Sequence, residues 1–367
     1  MSRVSRRKFL QQAGGASAAL AFMAANGIKV SANPLGLPIG AQAWPHRARI
    51  GTDSYAGLAA LLKDMKSIGL DTIELVSPSG EFSTLTDGKQ VRKILDDAGM
   101  KSPSAHFRGV KTNLPTLITW AHDIGMTHMS MASMGGQMVN GVTTLEAVKR
   151  TCDDYNKLGA IAKKEGLQMM THNEGFENSR LDDGRLTYPV LLEYLDPEMM
   201  KMQFQMSSMR TVGDPIMYFT MYPGRFASAH LQGVDTTGGM SAPARGTLTV
   251  KPTPAQLAAQ EAARAARAGR AGGAAAGGGA SGGGAAAGAR AGGGRAAPGG
   301  AAPAAGRAAA PVAGAEGPGG LAVGEDTVDW VKVFQAGKIG GLKNYFVEQD
   351  WNVTVRSVAY LKTLNVT

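Results

Sequence analysis

From about residue 38 the chain alternates eight times between a short, largely apolar run and a longer stretch whose apolar residues recur three and four apart. The short runs are Pro38–Trp44, Thr72–Val76, Ser102–Phe107, His128–Met134, Gln168–His172, Lys201–Met206, Phe226–Leu231 and Asn344–Glu348. Each has strand length and few polar residues, so they predict strands covered on both faces. The longer stretches predict helices over Tyr55–Ile68, Lys89–Ala98, Leu114–Ile124, Leu145–Glu165, Asp329–Ile339 and Val353–Leu364, with short ones at Val190–Leu195 and Pro215–Tyr222. Gly69, Gly99, Gly125, Gly166 and the pair Gly340-Gly341 stand where helix C-caps belong.

Repeated helix, glycine and buried strand is the grammar of parallel α/β folds. Eight such units in roughly 260 residues predict a (β/α)8 TIM barrel. The alternative is an open doubly wound sheet, which would carry a glycine-rich phosphate loop after its first strand. Here that position reads Gln42-Ala43-Trp44-Pro45-His46. One stretch breaks the alternation. Residues 236–325 are mostly Gly, Ala, Pro and Arg, with hardly any large apolar side chain, and cannot bury enough surface to offset their chain entropy. They predict a disordered, low-complexity insertion between strand seven and its helix, interrupting a single domain that spans 33–367. Within it, Pro254–Gly269 has the composition of a transient helix.

The formal net charge of +9 is unevenly placed. Residues 1–32 hold five basic residues and no acidic one, and 251–322 hold seven basic against two acidic; the remainder holds 26 basic and 27 acidic residues. The predicted barrel is therefore near neutral, which removes the charge argument for a nucleic-acid partner. Segment 1–32 itself reads as a twin-arginine signal peptide. Ser5-Arg6-Arg7-Lys8-Phe9-Leu10 precedes a small, mildly apolar stretch, Ala13–Ala25, and Val30-Ser31-Ala32 fits a cleavage site. The apolar stretch falls short of the about 20 residues a bilayer span needs. The expectation is export to the periplasm by the twin-arginine machinery, which carries folded proteins, often with a cofactor already inserted. Cys152 is the single cysteine, so the core rather than an internal disulfide must hold the fold. Met126, Met129, Met131, Met134, Met202 and Met206 lie in or beside predicted strands and read as core filler. The sequence neither requires nor excludes a homo-oligomer.

Four predicted strands of the second half end in polar, metal-capable side chains. Strand five gives His172, Glu174 and Glu177; strand six gives Gln205 and Gln203; strand seven gives His230 and Gln232; strand eight gives Glu348 and Asp350. A parallel barrel opens the C-terminal ends of its strands onto one cavity, where these groups would meet. Imidazole, carboxylate and amide oxygen make a mixed nitrogen–oxygen site for Mn²⁺, Mg²⁺, Co²⁺ or Zn²⁺, not a thiolate site. Glu348 follows a largely apolar run, where an unpartnered carboxylate is costly; a salt bridge to a barrel lysine is its structural alternative. Trp44, Glu74 and His106 end the first three strands and are wall or substrate-binding candidates. His122 reads as a surface helix residue, and His128 opens its strand at the opposite end of the barrel.

Several segments, taken in order, resemble the xylose isomerase-like TIM-barrel family of sugar phosphate isomerases and epimerases, in its twin-arginine-exported members. They are Ile39-Gly40-Ala41-Gln42-Ala43-Trp44, Gly69-Leu70-Asp71-Thr72-Ile73-Glu74-Leu75, Thr171-His172-Asn173-Glu174-Gly175-Phe176-Glu177, Tyr222-Pro223-Gly224-Arg225-Phe226 through His230, Val328-Asp329-Trp330 and Tyr345-Phe346-Val347-Glu348-Gln349-Asp350. The resemblance implies a divalent metal held by a strand-five carboxylate, a strand-six aspartate, a strand-seven histidine and a strand-eight glutamate. These positions fall on Glu177 (or Glu174, or His172), Gln205, His230 and Glu348. Three departures stand out: the strand-six aspartate is Gln205, the histidine expected after Asn173 is Glu174, and the Lys-Asp pair after strand seven reads Gln232-Gly233. The resemblance further implies isomerisation or epimerisation of a small sugar or keto-sugar through an enediolate. Glu177 and Glu348 would then transfer protons, and Trp44, Glu74, His106, His172 and Gln232 would face the substrate. Two alternatives stay open: a 3-keto-glycoside lyase or hydrolase using the same enolate chemistry, and a non-catalytic carbohydrate-binding barrel with a degenerate metal site.

Overall fold

A computed structural model describes residues 33–51, 54–132, 134, 142–173, 179–207, 213–235 and 320–366. The signal-like segment, residues 236–319, and both Glu174 and Glu177 lie outside the described residues. Eight parallel strands form a closed barrel: β1 Gly40–Gln42, β2 Thr72–Val76, β3 Lys101–His106, β4 His128–Met131, β5 Gln168–His172, β6 Met200–Gln205, β7 Phe226–Leu231 and β8 Asn344–Val347. Each pairs with its sequence neighbour, and β8 closes on β1 through Gly40 opposite Phe346. The helices are α1 Ser54–Ser67, α2 Gly88–Asp97, α3 Val110–Ile124, α4 Leu145–Lys164, α5 Thr187–Tyr194, α6 Pro215–Met221, α7 Trp330–Gly340 and α8 Trp351–Leu361. The eight strand–helix units read from the sequence are thus the units of the barrel.

Local chemistry sets the element ends. Asp87, Thr144 and Asp329 cap α2, α4 and α7 by accepting backbone N–H groups of Gln90, Ala147 and Lys332. Gly125 takes a left-handed φ of 83° and returns its N–H to the carbonyls of Ala121 and His122, which ends α3. The same helix starts earlier than its apolar spacing predicts. Asn113, at φ −141°, interrupts it one turn in, so Pro115 falls at the start of the resumed helix, where its missing N–H costs little. β1 is shorter than predicted because Trp44-Pro45-His46 turns into a 3-10 segment, followed by a one-turn helix at Arg47–Ile50. A pair of two-residue strands, Val142–Thr143 and Arg180–Leu181, was not legible from the pattern.

Side chains alternate across the barrel wall. Outward residues pack under the helices: Phe204 of β6 meets Tyr218 and Phe219 of α6 at ring distances of 6.0 and 5.6 Å, and Tyr345 of β8 meets Phe334 of α7 at 5.0 Å. Inward positions are mostly polar, including Glu74, Ser104, Ser130, Gln203 and Ser228, all fully buried. Gly40 leaves the room that Phe346 needs: a Cβ there would lie 2.5 Å from the Phe346 ring. Residues 320–325, placed in the insertion by composition, belong to the barrel instead, with Ala322 and Val323 buried. Where the chain leaves and re-enters, its two ends touch. Val234 N–H donates to Asp326 at 3.0 Å, and Gly233 packs so closely on Leu321 that a Cβ would lie 2.2 Å from its carbonyl oxygen.

Candidate active site

Register explains how the site is assembled. Strand pairing places Glu74 beside Ser104, Val76 beside His106, His172 beside Gln203, Gln205 beside His230, and His230 beside Phe346. Since side chains alternate, these pairings send Glu74, His106, His172, Gln203, Gln205 and His230 into the barrel together. Three imidazoles cluster at its centre. The rings of His172 and His230 lie 4.7 Å apart, those of His106 and His230 5.0 Å, and those of His106 and His172 5.4 Å.

His230 bridges two carboxylates. Its Nε2 lies 2.5 Å from Glu74 Oε2 and its Nδ1 3.1 Å from Glu348 Oε2. Burial alone would lower the pKa of this ring, but the charges of Glu348 and Glu74, with their hydrogen bonds, carry it up to about 10. Burial would raise both carboxyls. The nearby His106 and His230 instead bring Glu74 down to about 2, and His230 does the same for Glu348. His172 goes the other way, to about 3, through burial and the adjacent His230 and His106. Burial lowers His106 as well. The resulting pattern is two carboxylates around one imidazolium, with two neutral imidazoles beside them.

The deeper half of the site is a closed hydrogen-bond network around Gln203. Its Nε2 donates to Glu74 Oε1 at 2.9 Å and Ser228 Oγ at 3.0 Å. Its Oε1 accepts from Ser130 Oγ at 2.6 Å and lies 3.0 Å from His106 Nε2. Ser104 Oγ also donates to Glu74 Oε1, at 2.7 Å. Buried polar groups left unpaired would cost about 1–3 kcal/mol each, so this saturation is what lets a barrel keep so polar an interior.

The shallower half gathers around Glu348, whose side chain is 13% exposed. Gln205 Nε2 donates to Glu348 Oε2 at 2.8 Å, and Gln232 Nε2 reaches the same oxygen at 3.2 Å. Gln205 Oε1 lies 3.0 Å from His172 Nε2, while Asn173 Oδ1 accepts the Gln205 backbone N–H at 2.7 Å. No lysine pairs with Glu348 among the described residues; its partners are His230, Gln205 and Gln232.

Of the residues the sequence singles out, His172, Gln205, His230, Gln232 and Glu348 converge here. Glu74 and His106 form the layer beneath, Trp44 stands at the rim past β1, and Glu174 and Glu177 lie outside the described residues. Gln203, Ser104, Ser130 and Ser228 were passed over or given little weight, although polar residues two apart in otherwise buried strands (Ser102, Ser104, His106; Gln203, Gln205; Ser228, His230) carry the signal of an inward polar face. Among the described residues, two triads bring metal-ligating atoms within 4.8 Å of one another: Glu74, His106 and His230, and His172, His230 and Glu348. The donors are nitrogen and oxygen, the set that suits Mg²⁺, Mn²⁺, Co²⁺ or Zn²⁺. The upper triad fits an ion better. Both Glu74 oxygens already accept hydrogen bonds deep in the barrel, whereas Glu348 faces the mouth.

No protein-family model and no curated protein matches the sequence. Solved structures do match in fold. A sugar phosphate isomerase/epimerase from Parabacteroides distasonis aligns over 90% of this chain and 97% of its own, at 15% identity and a TM-score of 0.55. The probable 3-DHS dehydratase AsbF from Bacillus anthracis aligns over 90% and 100%, at 10% identity and a TM-score of 0.53. A xylose isomerase-like TIM barrel protein from Mycobacterium smegmatis, in complex with magnesium, aligns over 90% and 97%, at 11% identity and a TM-score of 0.51. At such identities the likeness speaks for architecture alone: the chain shares the TIM-barrel fold of these proteins.

Proposed function

We propose that this chain is a divalent-metal-dependent isomerase or epimerase of a sugar or keto-sugar, exported through its twin-arginine segment. The observation that carries the reading is the meeting of His172, Gln205, His230 and Glu348 at the barrel mouth, with Glu74 behind His230. In this reading His172, His230 through Nδ1 and the Glu348 carboxylate would hold the ion, with the Gln205 amide oxygen beside them. Glu74 accepts the Nε2 proton of His230, which leaves Nδ1 as the ligating atom and fixes the ring, as carboxylates behind metal-bound histidines do. When bound, the ion supplies Lewis-acid polarisation of a carbonyl and its neighbouring hydroxyl.

The chain's own groups supply the proton chemistry. The second oxygen of Glu348, on a side chain 13% exposed at the mouth, would take the proton from the carbon next to the carbonyl. A strand-five carboxylate, Glu177 or Glu174, returns it to the other carbon or the other face. Gln232 and Gln205 hold the Glu348 carboxylate in orientation between the two transfers. Removal of the same proton followed by loss of a leaving group gives the lyase reading, and product structure separates the two.

The test is Glu348→Gln in the metal-loaded full chain. The expected outcome is a folded protein whose turnover on a panel of sugars and keto-glycosides, followed by NMR in D₂O, falls at least about a hundredfold, the usual range for a lost acid–base group. Full activity in that variant would refute the assignment. A preparation that binds no divalent ion would favour a carbohydrate-binding barrel.

A further inference from the structure

β1 lies between the two strands whose carboxylates flank His230, β2 with Glu74 and β8 leading into Glu348. Its inner-face residue at that level is Gln42. Gln42 and Glu74 are partners in register, and Gln42 and Glu348 each come one residue after the paired Ala41 and Val347. Neighbouring strands stand about 4.8 Å apart and partnered side chains share a face, so Gln42 enters the barrel between the two carboxylates.

This amide is fully buried and only half satisfied. Its Oε1 accepts the Trp44 N–H, whereas its Nε2 has no hydrogen-bond partner among the described residues. A buried donor left in this state costs about 1–3 kcal/mol. Neither adjacent carboxylate relieves it. Glu74 is saturated, since Oε1 accepts from Ser104 and Gln203, and Oε2 from His230. Glu348 is not. Its donors His230, Gln205 and Gln232 all fall on Oε2, and Oε1 takes none among the described residues. An orphan N–H and an open carboxylate oxygen thus come from adjacent strands at one level, the level at which Glu348 is partly exposed to the mouth.

We infer that Gln42 Nε2 donates a hydrogen bond to the carbonyl oxygen of the substrate while Glu348 Oε1 takes the proton from the adjoining carbon. The inference rests on the proposed isomerase or epimerase chemistry and adds a catalytic residue to it. A hydroxy-ketone or hydroxy-aldehyde carries an acceptor oxygen and an acidic C–H on neighbouring atoms. That is the pair an orphan N–H and an open carboxylate oxygen can meet together. As the C–H bond breaks, the proton goes to Glu348 and its electron pair forms the new C=C bond, while the carbonyl π pair moves onto oxygen. The amide keeps its proton and faces growing negative charge, so its hydrogen bond is stronger in the transition state than in the bound ketone. The Trp44 N–H, held by Oε1, keeps the amide from turning its acceptor end toward that oxygen.

The experiment uses the metal-loaded full chain as wild type, Gln42→Met, Gln42→Glu and Glu348→Gln, with D-fructose, D-xylulose and 3-keto-D-glucose as probes. NMR in D₂O follows product formation and deuterium incorporation beside the carbonyl, and metal content and melting temperature are measured on the same preparations. Gln42→Met removes both the donor and the acceptor for Trp44; Gln42→Glu removes the donor and keeps the acceptor. The expected result is a kcat about a hundredfold lower in both variants, the usual loss for one oxyanion donor, with KM and metal content little changed. In ¹⁵N-labelled wild type, the two side-chain N–H signals that Gln42→Met removes should move downfield as the sugar that is turned over saturates the protein. A purely structural role predicts instead that Gln42→Glu keeps the wild-type kcat, and that result would overturn the inference, as would amide signals that the sugar does not move. Turnover abolished by Glu348→Gln but intact in Gln42→Met defeats this inference and leaves the proposed function standing, whereas no turnover or exchange in wild type defeats both.

Discussion

His230 gives its Nε2 to Glu74, 2.5 Å away and on a strand 156 residues earlier in the chain. That contact joins opposite parts of the sequence at the axis of the barrel, and it determines which nitrogen of the ring is left to face the mouth. Replacing Glu74 with Gln leaves the imidazolium half-paired in a buried site. The variant is expected to lose about 3 kcal/mol of stability, the range for breaking a buried pair from one side. Its metal affinity should fall about 10- to 100-fold, as when a carboxylate behind a ligating histidine is lost. Urea unfolding and metal titration measure the two effects; an unchanged metal affinity would remove Glu74 from the site's architecture.

The charge pattern fixes a pH dependence for the metal-free protein. His230 has a folded pKa of about 10 against an ordinary 6.5, so its contribution is full below pH 6.5 and is lost as pH rises through 10. Glu74 and Glu348, at about 2 against 4.5, contribute above pH 4.5 and lose that contribution as pH falls toward 2. His172, at about 3 against 6.5, begins to cost stability below pH 6.5. Unfolding midpoints of EDTA-treated protein should therefore peak near pH 6.5 and fall on both sides. Metal affinity should instead rise with pH, because an ion at Nδ1 displaces a proton. A midpoint still climbing at pH 9 would contradict the paired imidazolium.

Gln205 takes the place of an acidic residue in the resembled site and donates to Glu348 at 2.8 Å. Gln205→Asp turns that donor into a second anion. Without metal the variant should be less stable by about 1 kcal/mol or more, through like-charge repulsion. With metal it should bind at least about tenfold more tightly, since ligand charge strengthens a hard-cation site. Thermal melts with and without Mn²⁺ should move in opposite directions; movement in the same direction would place Gln205 outside the coordination set.

Gly159, on the buried face of α4, is set by packing. A Cβ there would lie 2.5 Å from the Met199 carbonyl oxygen, just ahead of β6. Alanine gains about 1 kcal/mol in helix propensity over glycine, but the contact is with backbone and cannot be relieved by a rotamer. The clash, typically 1–3 kcal/mol, should exceed the gain. Gly159→Ala is expected to lower the melting temperature, and a rise would mean that α4 shifts freely over the strand.

The fold was legible because its signals are local. A run such as Thr72–Val76 is apolar enough to need cover on both faces, and Gly69 before it marks where the preceding helix must stop. The strand ends that carry His172, Gln205, His230 and Glu348 could be read for the same reason. The layer beneath could not. Gln203 and Glu74 are 129 residues apart, and nothing in either neighbourhood says that their side chains meet across the barrel. Period-two polarity shows that a strand has a wet or hydrogen-bonded inner face; the partner across the interior is set by closure and register.

The contact of Gly233 with Leu321 makes the long excursion after β7 a detour that starts and finishes at one point. A chain opened within that detour and linked instead between Leu35 and Val366, whose backbones hydrogen-bond at 2.6 Å, would be a circular permutant in which β8 leads and β7 comes last. Closing the barrel would then depend on pairing between the first and last strands made.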